Sequence, residues 1–188
     1  MTEAGRPAWP TWPRRVVLLG FMGAGKSTVG PLLAARLGWR FVDLDHEIER
    51  REGQTVAEIF ASQGEPRFRA LETECTRVLA RQTEIVLAPG GGWIATPGNL
   101  HSVGPGTLTV WLQVTAEEAL ARLGGERATR PLLSAPDPHA AATRLLAQRE
   151  RLYREADVAV PTDGRTASAV AREIEIFARA RLAERGRQ

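Results

Sequence analysis

A glycine-rich octapeptide between an apolar run and a helical pattern constrains the fold of this chain most strongly. Residues 20–27 read GFMGAGKS, which matches the G-x-x-x-x-G-K-[ST] pattern of a phosphate-binding loop. Glycines permit backbone angles that turn successive N–H groups inward, and the following helix adds the positive end of its dipole. The motif therefore predicts a nucleotide-phosphate site at the head of a helix that follows a buried strand.

The only lysine of the chain lies in this loop. The sequence contains 24 arginines and a single lysine, Lys26, so this one position requires an ammonium group. The pattern assigns Lys26 to the β- and γ-phosphates and the Ser27 hydroxyl to Mg²⁺. The loop does not indicate which group receives the phosphoryl group.

Short apolar runs alternate with helical patterns along the rest of the chain. The predicted strands are residues 16–19, 40–43, 85–87, 108–114 and 158–160. The predicted helices are 26–37, 55–63, 66–81, 115–123, 139–155 and 167–185. This alternation is typical of a parallel sheet covered by helices on both faces. We interpret residues 1–13 as an irregular tail, 14–188 as one domain and the Gly- and Pro-rich segment near 124–138 as a mobile loop.

Composition narrows the class of protein. No apolar run is long enough to span a bilayer, and the N-terminus lacks a secretory signal pattern. Cys75 is the single cysteine and forms no intrachain disulfide, so we expect the cytoplasm as its compartment. The net charge is +3 with acidic residues interspersed, which favours a solvated Arg/Glu surface over a nucleic-acid site. We therefore expect neither a membrane nor a nucleic acid as a partner.

Two carboxylates, Asp43 and Asp45, lie at the end of the second predicted strand. Ligands bind at strand ends in open parallel sheets, and side chains two apart in an extended segment point the same way. One carboxylate can support the Mg²⁺ hydration shell, and the other can accept a proton from a substrate hydroxyl. In the alternative interpretation, Asp45 caps the helix that begins near His46, and the local pattern favours neither.

Three further features each allow a structural and a functional interpretation, and a fourth residue, Arg149, cannot be assigned from the pattern. Arg69 and Glu72 are three apart on a helix and form either a surface ion pair or an oriented site for an anion. The residues 90–92 are a flexible turn or a backbone that a ligand approaches closely. Arg130 is either solvent-exposed or closes over phosphates. Arg149 cannot be chosen over its neighbouring arginines from the pattern.

Six segments in this order resemble the shikimate kinase family, within the nucleoside-monophosphate-kinase-like P-loop group. The segments are GAGKST, FVDLD, FRALE, GGG, RPLL and RERLY, and the likeness extends from about Arg15 to the last helix. The resemblance implies a three-layer P-loop fold with a five-stranded parallel sheet of order 2-3-1-4-5 and a mobile lid near 124–138. It also implies transfer of the ATP γ-phosphoryl group to the 3-hydroxyl of shikimate, a step of aromatic amino-acid biosynthesis.

The resemblance also implies a role for individual positions. The residues implied to bind ATP are Gly23, Ala24, Gly25, Lys26, Ser27, Thr28, Arg122, Arg130, Arg165 and Thr166. The residues implied to bind shikimate are Asp45, Arg69, Gly91, Gly92 and Arg149. Mg²⁺ is implied at Ser27 and Asp43, and the catalytic residues are implied to be Lys26, Asp45 and Arg130. We expect a monomer that acts on a small molecule.

Two other functions remain open. Trp93 follows the triple glycine, where the family usually has small residues, and is expected to narrow or reshape the acceptor pocket. This feature keeps an ATP-dependent kinase of another small hydroxy acid, such as gluconate, as the alternative. A P-loop protein that holds a nucleotide without transferring phosphate is supported only by the excess of arginine.

Overall fold

Five parallel strands form the centre of the structure, a computed structural model that describes residues 13–124 and 137–183. The strands are β1 Arg15–Leu19, β2 Arg40–Asp43, β3 Ile85–Ala88, β4 Thr107–Gln113 and β5 Val158–Pro161. They lie in the order β2-β3-β1-β4-β5, and every neighbouring pair is parallel. This confirms the predicted strand order and places the carboxyl end of β1 between those of β3 and β4.

Helices lie between the strands, as the sequence predicts, but Asn99–Ser102 was not predicted, and Leu44–Glu52 begins two residues before the expected start near His46. They are α1 Lys26–Leu37, α2 Leu44–Glu52, α3 Val56–Leu79, α4 Asn99–Ser102, α5 Ala116–Leu123, α6 Pro138–Tyr153 and α7 Ala167–Ala183. A 3₁₀ turn, Trp93–Ala95, follows β3. Within residues 13–124 and 137–183, no helix has the length and apolar character needed to cross a membrane.

The central strand β1 faces two hydrophobic cores. Val16 and Leu18 belong to the core that includes buried residues of α1 and α7, whereas Val17 and Leu19 belong to the core that includes those of α3. Successive side chains of a strand point to opposite faces, so this alternation places one helical layer on each side of the sheet. The predicted three-layer architecture is therefore confirmed.

The predicted break between two helical segments after residue 63 lies inside α3. Thr55 and Glu58 form the predicted capping box at its start. Gly64 then adopts φ 79° and ψ 169°, which is not helical, and Pro66 begins the second segment. The bend separates the capped amino-terminal turns from the segment that carries Arg69 and Glu72.

A glycine lets α1 approach β2 closely. A Cβ atom built on Gly30 would lie 2.1 Å from Cε2 of Phe41, which is far inside van der Waals contact. Because α1 begins at the phosphate loop and β2 ends at Asp43, this contact holds two parts of the nucleotide site in register. The close approach requires a residue without a side chain at position 30.

We expect Gly30→Ala to lower the free energy of unfolding by about 1–3 kcal/mol, because overpacking exceeds the gain of about 1 kcal/mol in helix propensity. Denaturant unfolding measures this change. In a Phe41→Leu background the ring is absent, so Gly30→Ala should lower the free energy of unfolding by less. An equal cost in both backgrounds would show that the Phe41 ring is not the obstacle.

Candidate active site

The phosphate loop has the backbone that its motif predicts. Gly23 and Gly25 have φ angles of 78° and 90°, and Gly25 caps the amino end of α1. A Cβ atom on Gly23 would lie 2.6 Å from the carbonyl oxygen of Ala119 in α5. The loop therefore needs glycine at position 23 for its conformation and for its contact with α5. This cradle fits a phosphate chain.

Lys26 extends back along the same loop. Its Nζ atom donates hydrogen bonds to the carbonyl oxygens of Gly20, at 2.7 Å, and Phe21, at 3.0 Å. These two carbonyls hold the ammonium group beside the backbone that forms the cradle. The positive charge is therefore in place where phosphate oxygens would bind.

Ser27 and Asp43 form a hydroxyl–carboxylate pair at the start of α1 and the end of β2. Ser27 Oγ donates to Asp43 Oδ2 at 3.1 Å, while Asp43 Oδ1 accepts from the backbone N–H of Asp45 at 3.1 Å. Oxygen ligands of this kind suit Mg²⁺, which takes few protein ligands when it also binds phosphates and water. The donor set therefore fits the metal that the motif implies.

Asp43, and not Asp45, is the cap of α2. The Asp43 side chain accepts from the backbone N–H groups of Asp45 and His46, so the alternative in which Asp45 caps this helix is wrong. Asp45 lies in the first turn of α2 and faces the triple glycine. Its Oδ1 and Oδ2 atoms would be 3.2 and 3.4 Å from a Cβ atom on Gly90. The carboxylate thus lies against the glycine segment.

Arg69 and Glu72 form an ion pair whose carboxylate is buried. Arg69 Nη1 donates to Glu72 Oε2 at 2.7 Å, and the Glu72 side chain is 0% exposed, so the surface ion pair interpretation is wrong. Glu65 also accepts from Arg69, at 2.8 Å. Glu72 Oε1 has no hydrogen-bond partner among the described residues, and it would lie 3.4 Å from a Cβ atom on Gly90. Both carboxylates, Asp45 and Glu72, therefore lie against the same glycine.

Burial governs the protonation of Glu72. The pKa of this carboxyl is raised to about 7, mainly because burial removes its hydration. The Arg69 guanidinium lowers the pKa and the Asp45 charge raises it, but both effects are smaller than that of burial. The Arg69–Glu72 pair is therefore sensitive to pH in the neutral range.

The triple glycine lies between the phosphate loop and Arg69. A Cβ atom on Gly91 would be 3.2 Å from the backbone nitrogen of Met22, and one on Gly92 would be 2.8 Å from Arg69 Nη2. A side chain at either position would require its neighbours to shift. The segment is therefore closely packed between the phosphate loop and Arg69, and the approach of a ligand to its backbone stays a prediction.

Arg149 reaches this loop from α6, which separates it from the neighbouring arginines. Its Nη1 atom donates to the carbonyl oxygen of Gly91 at 3.0 Å, and the residue is 8% exposed. The hydroxyl of Tyr153, one turn later, donates to the same oxygen at 3.0 Å. Burial raises the Tyr153 pKa to about 12, so the hydroxyl keeps its proton at neutral pH. This contact distinguishes Arg149 from the neighbouring arginines of α6, which the helical pattern alone could not do.

The residues implied to bind ATP outside the phosphate loop are only partly brought together. Arg122 Nη1 lies 3.4 Å from the carbonyl oxygen of Gly23, and its Nη2 donates to that of Thr162 at 2.7 Å. Arg122 therefore joins the phosphate loop to the 162–166 segment. Arg165 instead pairs with Glu173 of α7 at 2.5 Å, and Thr166 Oγ1 accepts from a backbone N–H in the first turn of that helix. Arg130 lies outside the described residues.

The expectation that Trp93 narrows the acceptor pocket is wrong. Its indole is 0% exposed, and Nε1 donates to Thr76 Oγ1 of α3 at 3.0 Å. The side chain points into the core beneath the triple glycine. Sequence reasoning missed Thr76, although its position seven residues after Arg69 places both on one face of a helix.

A nucleotide-phosphate loop thus faces a cluster of buried arginines and carboxylates across a glycine segment, on a five-stranded parallel sheet. This combination defines a P-loop kinase.

Comparisons with known proteins specify the family. The family model for shikimate kinase matches residues 22–178. A shikimate kinase from Moorella thermoacetica is 47% identical over 163 residues, which cover 87% of this chain and 93% of that protein. The structure of a shikimate kinase from Acinetobacter baumannii in complex with shikimate has a TM-score of 0.83 and 36% identity, with coverage of 95% and 97%. This chain belongs to the shikimate kinase family.

The gluconate alternative receives no comparable support. A gluconokinase from Sinorhizobium meliloti has a TM-score of 0.57 at 21% identity, which shows a shared fold alone. The burial of Trp93 also removes the sequence feature that favoured this alternative.

The raised pKa of Glu72 predicts how stability depends on pH. The folded state binds the Glu72 proton more tightly than the unfolded state does. The resulting stabilisation of the folded state is therefore fully present below about pH 4.5 and is lost as pH rises through about 7. Between pH 5 and 8 we expect the free energy of unfolding of the wild type to fall by up to about 3 kcal/mol more than that of Glu72→Gln.

Urea unfolding of both proteins at the two pH values measures this difference. Glu65→Gln is the matched control, because it also removes a carboxylate partner of Arg69 but its side chain is 61% exposed. This control should follow the wild-type pH dependence. Parallel curves for Glu72→Gln and wild type would contradict the raised pKa.

Proposed function

We propose that this chain transfers the γ-phosphoryl group of ATP to the 3-hydroxyl of shikimate, with Mg²⁺ at Ser27 and Asp43. Membership of the family supports ATP as the phosphoryl donor. The observation that carries the choice of acceptor is the convergence of Asp45, Arg69 and Arg149 on one glycine segment beside the phosphate loop.

The nucleotide side follows from the loop. Residues 23–28 and Lys26 in particular bind the phosphates, since the loop supplies a glycine cradle and Lys26 supplies a fixed positive charge. Ser27 and Asp43 would hold Mg²⁺, which neutralises charge on the β- and γ-phosphate oxygens when bound. Arg122, between Gly23 and Thr162, is proposed to lie against adenine. Arg165 and Thr166 shape the adjoining segment through their contacts with α7.

The acceptor side matches the chemistry of shikimate, a ring that carries one carboxylate and several hydroxyls. Arg69, in contact with Gly92, and Arg149, bound to the Gly91 carbonyl, offer guanidinium groups to the carboxylate. Asp45, in contact with Gly90, can accept hydrogen bonds from hydroxyls. Each glycine of the segment thus adjoins one acceptor-binding side chain.

Asp45 is proposed as the base. It accepts the proton of the attacking hydroxyl while the new P–O bond forms and the bond to the ADP oxygen breaks. Lys26 stabilises charge on the transferring group, and Arg130, outside the described residues, is assigned there by the resemblance alone. Most of the rate enhancement then comes from positioning and charge.

The functional unit is proposed to be a monomer in the cytoplasm. The lone Cys75 is buried and forms no intrachain disulfide, which suits a reducing compartment.

An ADP-release assay with shikimate, with gluconate and without acceptor tests this function. We expect release that depends on shikimate and a product phosphorylated on the 3-hydroxyl. Phosphorylation of gluconate but not of shikimate would overturn the choice of acceptor. Nucleotide binding without any acceptor-dependent release would leave a nucleotide-binding protein instead.

Arg69→Ala is expected to raise the KM for shikimate by about 10- to 100-fold, the effect of a lost charge-assisted hydrogen bond, and to leave the KM for ATP within about twofold. Steady-state kinetics measure both constants. Arg67→Ala is the control, because Arg67 lies on the same helix with its side chain 40% exposed and forms long ion pairs with Glu52 and Glu74, at 3.7 and 3.8 Å. Normal shikimate kinetics in Arg69→Ala would refute the assignment.

Asp45→Asn should lower kcat by about 100-fold or more, because the amide cannot accept the hydroxyl proton. Its affinity for ATP should stay near that of the wild type, as measured by nucleotide titration. Glu52→Gln, an exposed carboxylate at the end of the same helix, serves as the control and should retain full kcat. Equal losses in kcat and ATP affinity would indicate a metal or folding role for Asp45.

A further inference from the structure

A set of buried polar groups ties the loop after β3 to α3, and no role described above uses it. Trp93 Nε1 donates to Thr76 Oγ1 at 3.0 Å, and both residues are 0% exposed. Asn99, also 0% exposed, donates through Nδ2 to the Trp93 carbonyl oxygen at 3.0 Å. The Thr73 hydroxyl lies 2.9 Å from Asn99 Oδ1. We name these four residues, Thr73, Thr76, Trp93 and Asn99, the α3 clamp.

One end of the clamp lies on the helix face that carries Arg69. Thr73 and Thr76 follow Arg69 by four and seven residues, which places all three on one face of α3. The Thr73 hydroxyl is also 3.0 Å from the backbone carbonyl oxygen of Arg69. A shift of this face relative to the loop would therefore move the Arg69 side chain as well.

The other end of the clamp fixes the triple glycine. The backbone N–H of Trp93 donates to the Gly90 carbonyl oxygen, and that of Ala95 donates to the Gly92 carbonyl oxygen, both at 3.0 Å. The 3₁₀ turn that holds the indole thus begins within the glycine segment. Gly92 is in turn the residue against which the Arg69 guanidinium packs.

A phenylalanine would fill much of this core space without a buried N–H that needs a partner. An indole N–H that is buried without a hydrogen bond is costly. The Trp93–Thr76 bond therefore favours one orientation of the loop after β3 relative to α3. Such directional bonds set a distance, whereas apolar packing alone tolerates small slips. A misplacement of about 1 Å in a binding site can cost about 100-fold in rate.

We propose that Trp93 and Thr76 are positioning residues for the acceptor, because their bond sets the spacing between the triple glycine and Arg69. This inference rests on the proposed function, since shikimate is the acceptor whose binding reports that spacing. The bond itself contacts no phosphate-binding residue, so we expect a larger effect on the acceptor than on the nucleotide.

Three variants test the proposal. Trp93→Phe keeps an aromatic ring and removes the N–H, Thr76→Val keeps the shape and removes the hydroxyl, and Thr76→Ser keeps the hydroxyl. We expect the first two to raise the KM for shikimate about 3- to 10-fold, as for one lost buried hydrogen bond, with the KM for ATP within about twofold. Thr76→Ser, which keeps the hydroxyl, should retain wild-type kinetics.

Thr107→Val is the matched control for lost stability. The Thr107 hydroxyl is also buried, accepts from Arg15 Nε at 3.0 Å and donates to the Val103 carbonyl oxygen at 2.8 Å, at the opposite end of the sheet from the site. This variant should lower the melting temperature and leave both KM values unchanged. The contrast separates a general loss of stability from an effect on the acceptor.

The proposal is overturned if Trp93→Phe and Thr76→Val lower the melting temperature like the control while both KM values stay within twofold. It is also overturned if the KM values for shikimate and ATP rise together. Should Trp93→Phe not fold, the comparison of Thr76→Val with Thr76→Ser decides alone. A wild type without shikimate-dependent turnover overturns the proposed function and this inference together, whereas normal wild-type turnover with unaltered variants overturns the clamp alone.

Discussion

The close contact between a side-chain-free segment and charged groups is the constraint on which the whole site depends. Gly90 meets the carboxylates of Asp45 and Glu72, and Gly92 meets the guanidinium of Arg69. A Cβ atom at Gly92 would displace the Arg69 guanidinium, and one at Gly90 would press on both carboxylates. Like charges and a counter-ion can share so small a volume only because the intervening backbone is bare and Arg69 bonds Glu72 at 2.7 Å.

The same segment joins the two halves of the reaction. Gly91 approaches the backbone nitrogen of Met22 in the phosphate loop, and its carbonyl oxygen accepts from Arg149 and Tyr153 of α6. Strands β1 and β3 are neighbours in the sheet, so the loops that follow them meet at one edge. Donor and acceptor sites are therefore adjacent because of strand order, and the spacing between them is set by backbone contacts.

Local patterns predicted the phosphate loop, the strands and most helix limits, because each depends on residues close in sequence. Contacts between distant residues were out of reach. Helical spacing could not distinguish Arg149 from its neighbours, since its partner, the Gly91 carbonyl, is 58 residues away. Adjacency to glycine suggested that Trp93 lined the pocket, but the 3₁₀ turn directs its indole into the core. The burial of Glu72 likewise arises from tertiary packing, which the Arg69–Glu72 spacing does not encode.

The use of one lysine in a chain of 24 arginines has a chemical consequence. Reagents and modifying enzymes that acylate side-chain amines find a single target, and that target lies on the Gly20 and Phe21 carbonyls of the phosphate loop. Arginine does not react under the same conditions, because the guanidinium keeps its proton. Covalent labelling of the ε-amine, located by peptide mapping, would therefore report occupancy of one loop.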